Sequence, residues 1–182
     1  ETCPCCGSEI EKVPGEVAFR CPNISGCPAQ KLRRLLHFVS KGAMNIENMG
    51  EKVAEQLMQK NLVALPSDLF LLTQEDLLNL EGFKDKSVQN LLHAIEKAKH
   101  TTLDRFIFSL GIKYVGTQTA FALAKRLGTL AQIESQSKEE LRSIEGIGEK
   151  VASSIEAFFH DPQNKKEIEK LLDHIVLASM NV

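Results

Sequence analysis

Gly146-Ile147-Gly148-Glu149-Lys150 decides the reading of this chain, because its frame occurs three more times upstream. The other copies are Asn48-Met49-Gly50-Glu51-Lys52, Gly82-Phe83-Lys84-Asp85-Lys86 and Tyr114-Val115-Gly116-Thr117-Gln118. Their starts lie 34, 32 and 32 residues apart, a period that marks a repeated supersecondary unit. The register extends outward on both sides. Two residues before each start stands an aliphatic, Ile46, Leu80, Ile112 or Ile144. Six after it stands Ala54, Val88, Ala120 or Ala152, and nine after it Leu57, Leu91, Leu123 or Ile155. The unit reads as a short helix ending at the first aliphatic, a tight turn, and a second helix whose core face is set by the last two positions. Four hairpins are expected, near residues 46–54, 80–88, 112–120 and 144–152.

The turn carries the chemistry. Glycines permit positive φ and leave room for close approach, and the apolar residue between them plugs the turn into the core. The free N–H groups at the start of the second helix, aided by the helix dipole, form an anion site whose natural occupant is a nucleic-acid phosphate. Lys52, Lys86 and Lys150 stand at the same place in three copies, where they add a charge-assisted contact. This pattern resembles the helix–hairpin–helix motif of non-sequence-specific DNA-binding proteins. The candidate contacts are Met49, Gly50 and Lys52; Gly82, Phe83, Lys84 and Lys86; Val115, Gly116 and Thr117; and Gly146, Ile147, Gly148 and Lys150. A purely structural αα-hairpin is the competing reading, and it weakens as the copies multiply in register. The copies are unequal: the fourth is complete, the third has Tyr114 for the first glycine and Gln118 for the lysine, and the second has Lys84 for the second glycine, where strain is expected.

The net charge of −2 counts against a bulk electrostatic nucleic-acid binder. Contacts made by helix ends and a few placed lysines do not need a basic domain. They carry no base information, so binding is expected to be salt-sensitive and indifferent to sequence. With no Trp and one Tyr, an aromatic base-stacking platform is excluded. Lys31, Arg33, Arg34 and Lys41 form a second basic cluster, read either as a solvated helix face or, for Arg33 and Arg34 above all, as contacts to a DNA backbone.

All five cysteines fall within the first 27 residues. An odd, clustered set without a secretion signal argues against a disulfide scaffold and for a metal site in a reducing compartment. Cys3 and Cys6 form C-x2-C, and Cys21 and Cys27 form C-x5-C. Four thiolates complete a closed tetrahedral structural zinc site with no position open for catalysis. Cys5 is left unligated, and His37 reads as a packed histidine. Ile10–Lys12 and Val17–Cys21 are expected as short strands around Pro14-Gly15. From Ala29 the pattern is helical, with stripes at Leu32/Leu35/Leu36/Val39, Val88/Leu91/Leu92/Ile95, Leu103/Phe106/Ile107/Leu110 and Ile168/Leu171/Leu172/Ile175. Thr73 with Asp76 and Ser137 with Glu140 read as capping boxes, Gly128 as a helix stop, and Asp161-Pro162 as a helix start. The fold class is mainly α: a small C4 zinc module with a β-hairpin over residues 1–28, then a compact domain of four helix–hairpin–helix repeats over 29–182.

Cys3-Pro4-Cys5-Cys6-Gly7-Ser8, Cys21-Pro22-Asn23 and Cys27-Pro28-Ala29-Gln30 resemble the zinc finger of bacterial NAD-dependent DNA ligases. The likeness continues through His37-Phe38-Val39-Ser40, Pro66-Ser67-Asp68-Leu69-Phe70, Ala94-Ile95-Glu96-Lys97-Ala98-Lys99 and Leu110-Gly111-Ile112 to the fourth hairpin, and covers nearly the whole chain. The resemblance implies a monomeric, cytoplasmic, nucleoid-associated enzyme that seals nicked duplex DNA in replication and repair. In the family, NAD adenylates a lysine in an upstream domain, AMP passes to the 5′-phosphate, and the 3′-hydroxyl attacks. NAD and Mg belong to those other domains. The chain holds no Lys-x-Asp-Gly motif and no phosphate-binding Gly-x-x-x-x-Gly-Lys-Ser/Thr loop, and Gly146-Ile147-Gly148 lacks the third glycine of a dinucleotide fingerprint. Alone it is expected neither to ligate nor to have catalytic residues. The alternatives are a DNA-binding module of another repair or recombination protein, and a protein-interaction scaffold.

Overall fold

The computed structural model describes residues 1–23 and 26–178. The end of the expected second domain, residues 179–182, lies outside them. Within the cysteine-rich segment, β1 (Glu11–Lys12) pairs antiparallel with β2 (Phe19–Arg20), Glu11 opposite Arg20 and Lys12 opposite Phe19. Gly15, at φ +83°, turns the chain between them. Among the described residues up to 27, only Cys3 and Cys27 are buried. Val17 and Phe19 are exposed, so this segment has no apolar core to hold it.

Everything after it is helical. α1 (Pro28–Val39) opens with proline at its first position, where a missing N–H costs nothing. Its buried face is Leu35, Phe38 and Val39. Then follow α2 (Glu51–Gln59), a 3-10 turn over Pro66–Leu71, α3 (Gln74–Leu78), α4 (Asp85–Ala98) and α5 (Leu103–Ser109). The remaining helices are α6 (Thr117–Leu127), α7 (Leu130–Glu134), α8 (Lys138–Arg142), α9 (Glu149–His160) and α10 (Pro162–Leu172). The stop and start signals are physical. Thr73 accepts from the Asp76 amide at 3.2 Å while Asp76 accepts from the Thr73 amide at 3.0 Å. Ser137 and Glu140 exchange the same pair of bonds, Gly128 ends α6 at φ +79°, and Asp161 caps α10 through the Gln163 amide.

One continuous core runs from Leu35 to Ile175. Ala54, Val88, Ala120 and Ala152 are each 0% exposed, as are Leu57, Leu91, Leu123 and Ile155. The repeat register is therefore a packing register: α1 lies on α2, α3 on α4, α5 on α6 and α8 on α9.

Three expectations need correction. The fourth apolar stripe stops short, because α10 ends at Leu172. Ile175 is buried but leads into a strand, β4 (Val176–Ala178), which pairs parallel with β3 (His100–Thr102). The first repeat has turns, not a helix, over Lys41–Met44 before Ile46. In the other three the leading helix ends two or three residues before the aliphatic, at Leu78, Ser109 and Arg142.

Candidate nucleic-acid interface and metal centre

The four turns share one backbone path. Their first residues, Asn48, Gly82, Tyr114 and Gly146, have φ of +67°, +80°, +68° and +86°. The next residue points inward: Met49, Val115 and Ile147 are buried, and Phe83 is half-buried against the core. From these four positions, then, a ligand meets backbone rather than side chain. The third residue is the N-cap, and it is extended in every copy: Gly50 at φ −85° and ψ −179°, Lys84 at −130° and 175°, Gly116 at −93° and −172°, Gly148 at −85° and −179°. Each N-cap carbonyl accepts the first helical bond, from Ala54, Val88, Ala120 and Ala152 at 2.9–3.0 Å.

This path assigns the glycines different tasks. The left-handed requirement sits at the first position only. The third position is ordinary extended backbone, so Lys84 there is unstrained, contrary to the expectation from its sequence. A Cβ added at Gly50, Gly116 or Gly148 would meet no atom within 4 Å. Neither backbone angle nor packing calls for glycine at those three places. What its absence of a side chain does is bare the helix end.

The helix ends are also left uncapped. α3, α7, α8 and α10 are closed by Thr73, Thr129, Ser137 and Asp161 side chains. The four helices that leave the hairpins, α2, α4, α6 and α9, have no side-chain cap. Their first amides thus keep donors for an outside acceptor. Lys52, Lys84, Lys86, Thr117 and Lys150 are exposed beside them, and Gly82 and Gly146 make the turns.

Two residues sit outside this arrangement. Arg33 on α1 is exposed. Arg34 is half-buried and interacts with Glu167 and Asp161 at the α10 end of the molecule, burial drawing its guanidinium below its usual value. His37 is packed: its Nε2 lies 2.7 Å from the Phe108 carbonyl and its ring is edge-on to Phe108 at 4.7 Å.

At the other end, Cys3, Cys6, Cys21 and Cys27 place their Sγ atoms within 4.8 Å of one another. Cys3 and Cys27 are 3.9 Å apart and Cys6 and Cys21 3.6 Å. Tetrahedral zinc–sulfur bonds of about 2.3 Å put sulfurs about 3.8 Å apart, so the spacing fits zinc, and no disulfide forms. The Ser8 side chain and amide hold the Cys6 thiol down to about 6. At Cys21 the Asn23 amide favours thiolate, but burial and the neighbouring sulfurs push the thiol up to about 12. Sulfurs this crowded call for a cation to ionise together. Cys5 is exposed and apart from the four.

Residues 2–29 match the model of the NAD-dependent DNA ligase C4 zinc finger domain, and residues 105–168 that of the helix-hairpin-helix motif. The chain belongs to the family of NAD-dependent DNA ligases, in their zinc-finger and helix–hairpin–helix region. It is 46% identical over 171 residues to the DNA ligase of Protochlamydia amoebophila, covering 94% of this chain and 26% of that protein. It is 50% identical over 169 residues to the DNA ligase of Chloroflexus aggregans, covering 93% and 25%. The chain thus spans about a quarter of the length of the curated ligases it matches. The helix–hairpin–helix match takes in the turns at Tyr114 and Gly146. No helix among the described residues is long and apolar enough to cross a membrane.

Sequence reasoning missed Lys113. Its ammonium lies 5.0 Å from the Tyr114 ring centroid, and that of Lys150 4.4 Å from the same ring. The only signal for it was its position next to Tyr114, the bulky residue at a left-handed site.

Proposed function

We propose that this chain is the duplex-gripping part of a ligase that seals nicks during DNA replication and repair. The observation that supports it most is the set of bare N-caps at Gly50, Gly116 and Gly148, with open space where a side chain would stand and uncapped amides behind. A phosphate oxygen is the acceptor that suits a row of outward N–H groups at a helix start. Repeated at four turns, such sites follow a sugar–phosphate backbone and leave the bases unread. Lys52, Lys84, Lys86, Thr117 and Lys150 line the same path, with Arg33 as a contact on the α1 side. Arg34, engaged with α10 carboxylates, contributes to packing rather than grip.

Cys3, Cys6, Cys21 and Cys27 hold structural zinc, which supplies the fold of a module covering residues 1–28. The hairpin domain begins with α1. NAD and Mg act in the parts of the ligase outside this chain, so the chain alone neither adenylates nor seals. The parent enzyme works as a monomer in the cytoplasm.

The test is fluorescence anisotropy of the chain with a nicked duplex and with an intact duplex of scrambled sequence, at two salt concentrations. Binding that weakens with salt and ignores sequence supports the reading. No binding at low salt overturns it and favours a protein-interaction scaffold.

A further inference from the structure

Tyr114 is anomalous among the four turn residues. Asn48, Gly82 and Gly146 are residues that enter the left-handed region readily, whereas a bulky side chain there is strained. Strain of this kind persists where the surroundings over-determine it, and it marks positions whose side chain has a task. The surroundings here are firm: the Val115 amide donates to the Ile112 carbonyl at 3.0 Å, and Ser154 on α9 donates to the Lys113 carbonyl at 2.7 Å. The task is visible in the ring's neighbours. Lys113 precedes it in the third turn and Lys150 comes from the fourth, and both ammonium groups face the one ring. Neither lysine has a carboxylate partner among the described residues. Two like charges drawn to one aromatic face form a site for an anion of higher charge density than either could hold.

The same residues line a cleft of about 500 Å³. Its inner wall is Lys113, Tyr114, Lys150 and Ser153, and its outer wall is Val13 and Pro14, from the turn between β1 and β2 of the cysteine module. A cleft with an apolar lip, a hydroxyl and paired ammonium groups, opening beside the bare N-caps of Gly116 and Gly148, suits a sugar–phosphate chain laid along it.

We propose that Tyr114 is a positioning residue that gathers Lys113 and Lys150 into one site, and that the cleft they share with the Val13–Pro14 turn takes the phosphodiester backbone of a DNA strand. The zinc module is thereby part of the grip and not only a spacer. This deepens the duplex-gripping reading and rests on it. The phenol also ionises below its usual alkaline range, because Lys150 and then Lys113 favour its charged form. That agrees with ammonium groups held against it.

The chain reports on this site by itself, since Tyr114 is its one tyrosine and it has no tryptophan. The experiment titrates the full chain with a nicked duplex and follows tyrosine emission and anisotropy of a labelled duplex together, for the wild type, Tyr114→Phe and Tyr114→Gly, with thermal melts alongside. Emission is expected to change with the same midpoint as anisotropy. Tyr114→Phe, which keeps the ring, binds like the wild type. Tyr114→Gly melts no lower than the wild type, because glycine relieves the left-handed strain, yet it binds about three-fold or more weakly with a shallower salt slope. A structural role alone would lower the melting temperature and leave the salt slope intact. Tyr114→Gly matching the wild type in affinity and slope, or anisotropy rising without any emission change, overturns the proposal while duplex gripping stands. Absence of wild-type binding at low salt removes both.

Discussion

The two glycines of Gly146-Ile147-Gly148 answer to different forces, and alanine at each separates them. Gly146 sits at φ +86° with nothing within 4 Å of an added Cβ, so Ala there meets strain without any clash. The left-handed conformation costs an L-residue about 1–2 kcal/mol. The smaller freedom of the unfolded Ala chain returns about 0.4–1 kcal/mol, leaving a net loss of about 1 kcal/mol. In a chain of this size that lowers Tm by about 2–4 °C. Gly148 sits at φ −85° and ψ −179°, also with nothing within 4 Å. Ala there forfeits part of glycine's N-cap preference, about 0.5–1 kcal/mol, and recovers a similar amount from the unfolded state. Its Tm is expected to stay within about 2 °C of the wild type. Duplex binding reverses the order. Gly146→Ala keeps the salt dependence, whereas Gly148→Ala puts a methyl over the α9 amides and costs one phosphate contact, about 0.9 in the slope of log K against log salt. Gly148→Val, bulkier in the same open space, deepens the loss. Thermal melts and salt-dependent anisotropy on the same preparations provide the check. Equal effects of the two alanines on Tm, or an unchanged slope for Gly148→Val, would refute the division of labour.

Two further outcomes follow from burial and charge. Chelation of zinc should unfold residues 1–28 and leave the far-UV helical signal largely intact, because no apolar side chain before α1 joins the main core apart from the cysteines themselves; cooperative loss of all helical signal would contradict that. Glu167 is 2% exposed, and neither its carboxylate oxygens nor the nearby Ser67 hydroxyl finds a hydrogen-bond partner. Burial raises its pKa against the pull of Ser67 and Arg34, so the folded state prefers the protonated acid. Its contribution is full below the ordinary glutamate range and is lost as pH rises through the raised value. Glu167→Gln should therefore raise Tm at neutral pH and bring little change in acid, and a pH-independent difference between the two proteins would count against a buried acid.

Local chemistry was readable from sequence because it acts over a few residues. Thr73 with Asp76, Ser137 with Glu140, Gly128 and Asp161-Pro162 each satisfy or forgo specific backbone bonds within one turn of chain. The repeat was readable because the same packing problem is solved with the same side chains at Ala54, Val88, Ala120 and Ala152. What escaped depends on distance along the chain. Strand β4 exists because residues 176–178 find residues 100–102, and no local pattern at Ile175 announces that pairing. Arg34 looked like part of a basic patch, but α10 brings Glu167 and Asp161 to it. The misjudged Lys84 teaches a finer point: a Gly-x-Gly pattern does not say which glycine serves the backbone and which serves the ligand. Only φ at Gly146 and Gly148 separates the two.

The central claim is that DNA phosphates dock on the backbone amides at the starts of the hairpin helices. The most direct test is an amide chemical-shift map of the chain during titration with a nicked duplex. The account predicts the largest shifts at residues 51–53, 117–119 and 149–151, just after Gly50, Gly116 and Gly148, and small shifts at the capped starts of α3, α7, α8 and α10. Shifts concentrated on those capped helices, or spread over the surface without regard to the hairpins, would contradict it.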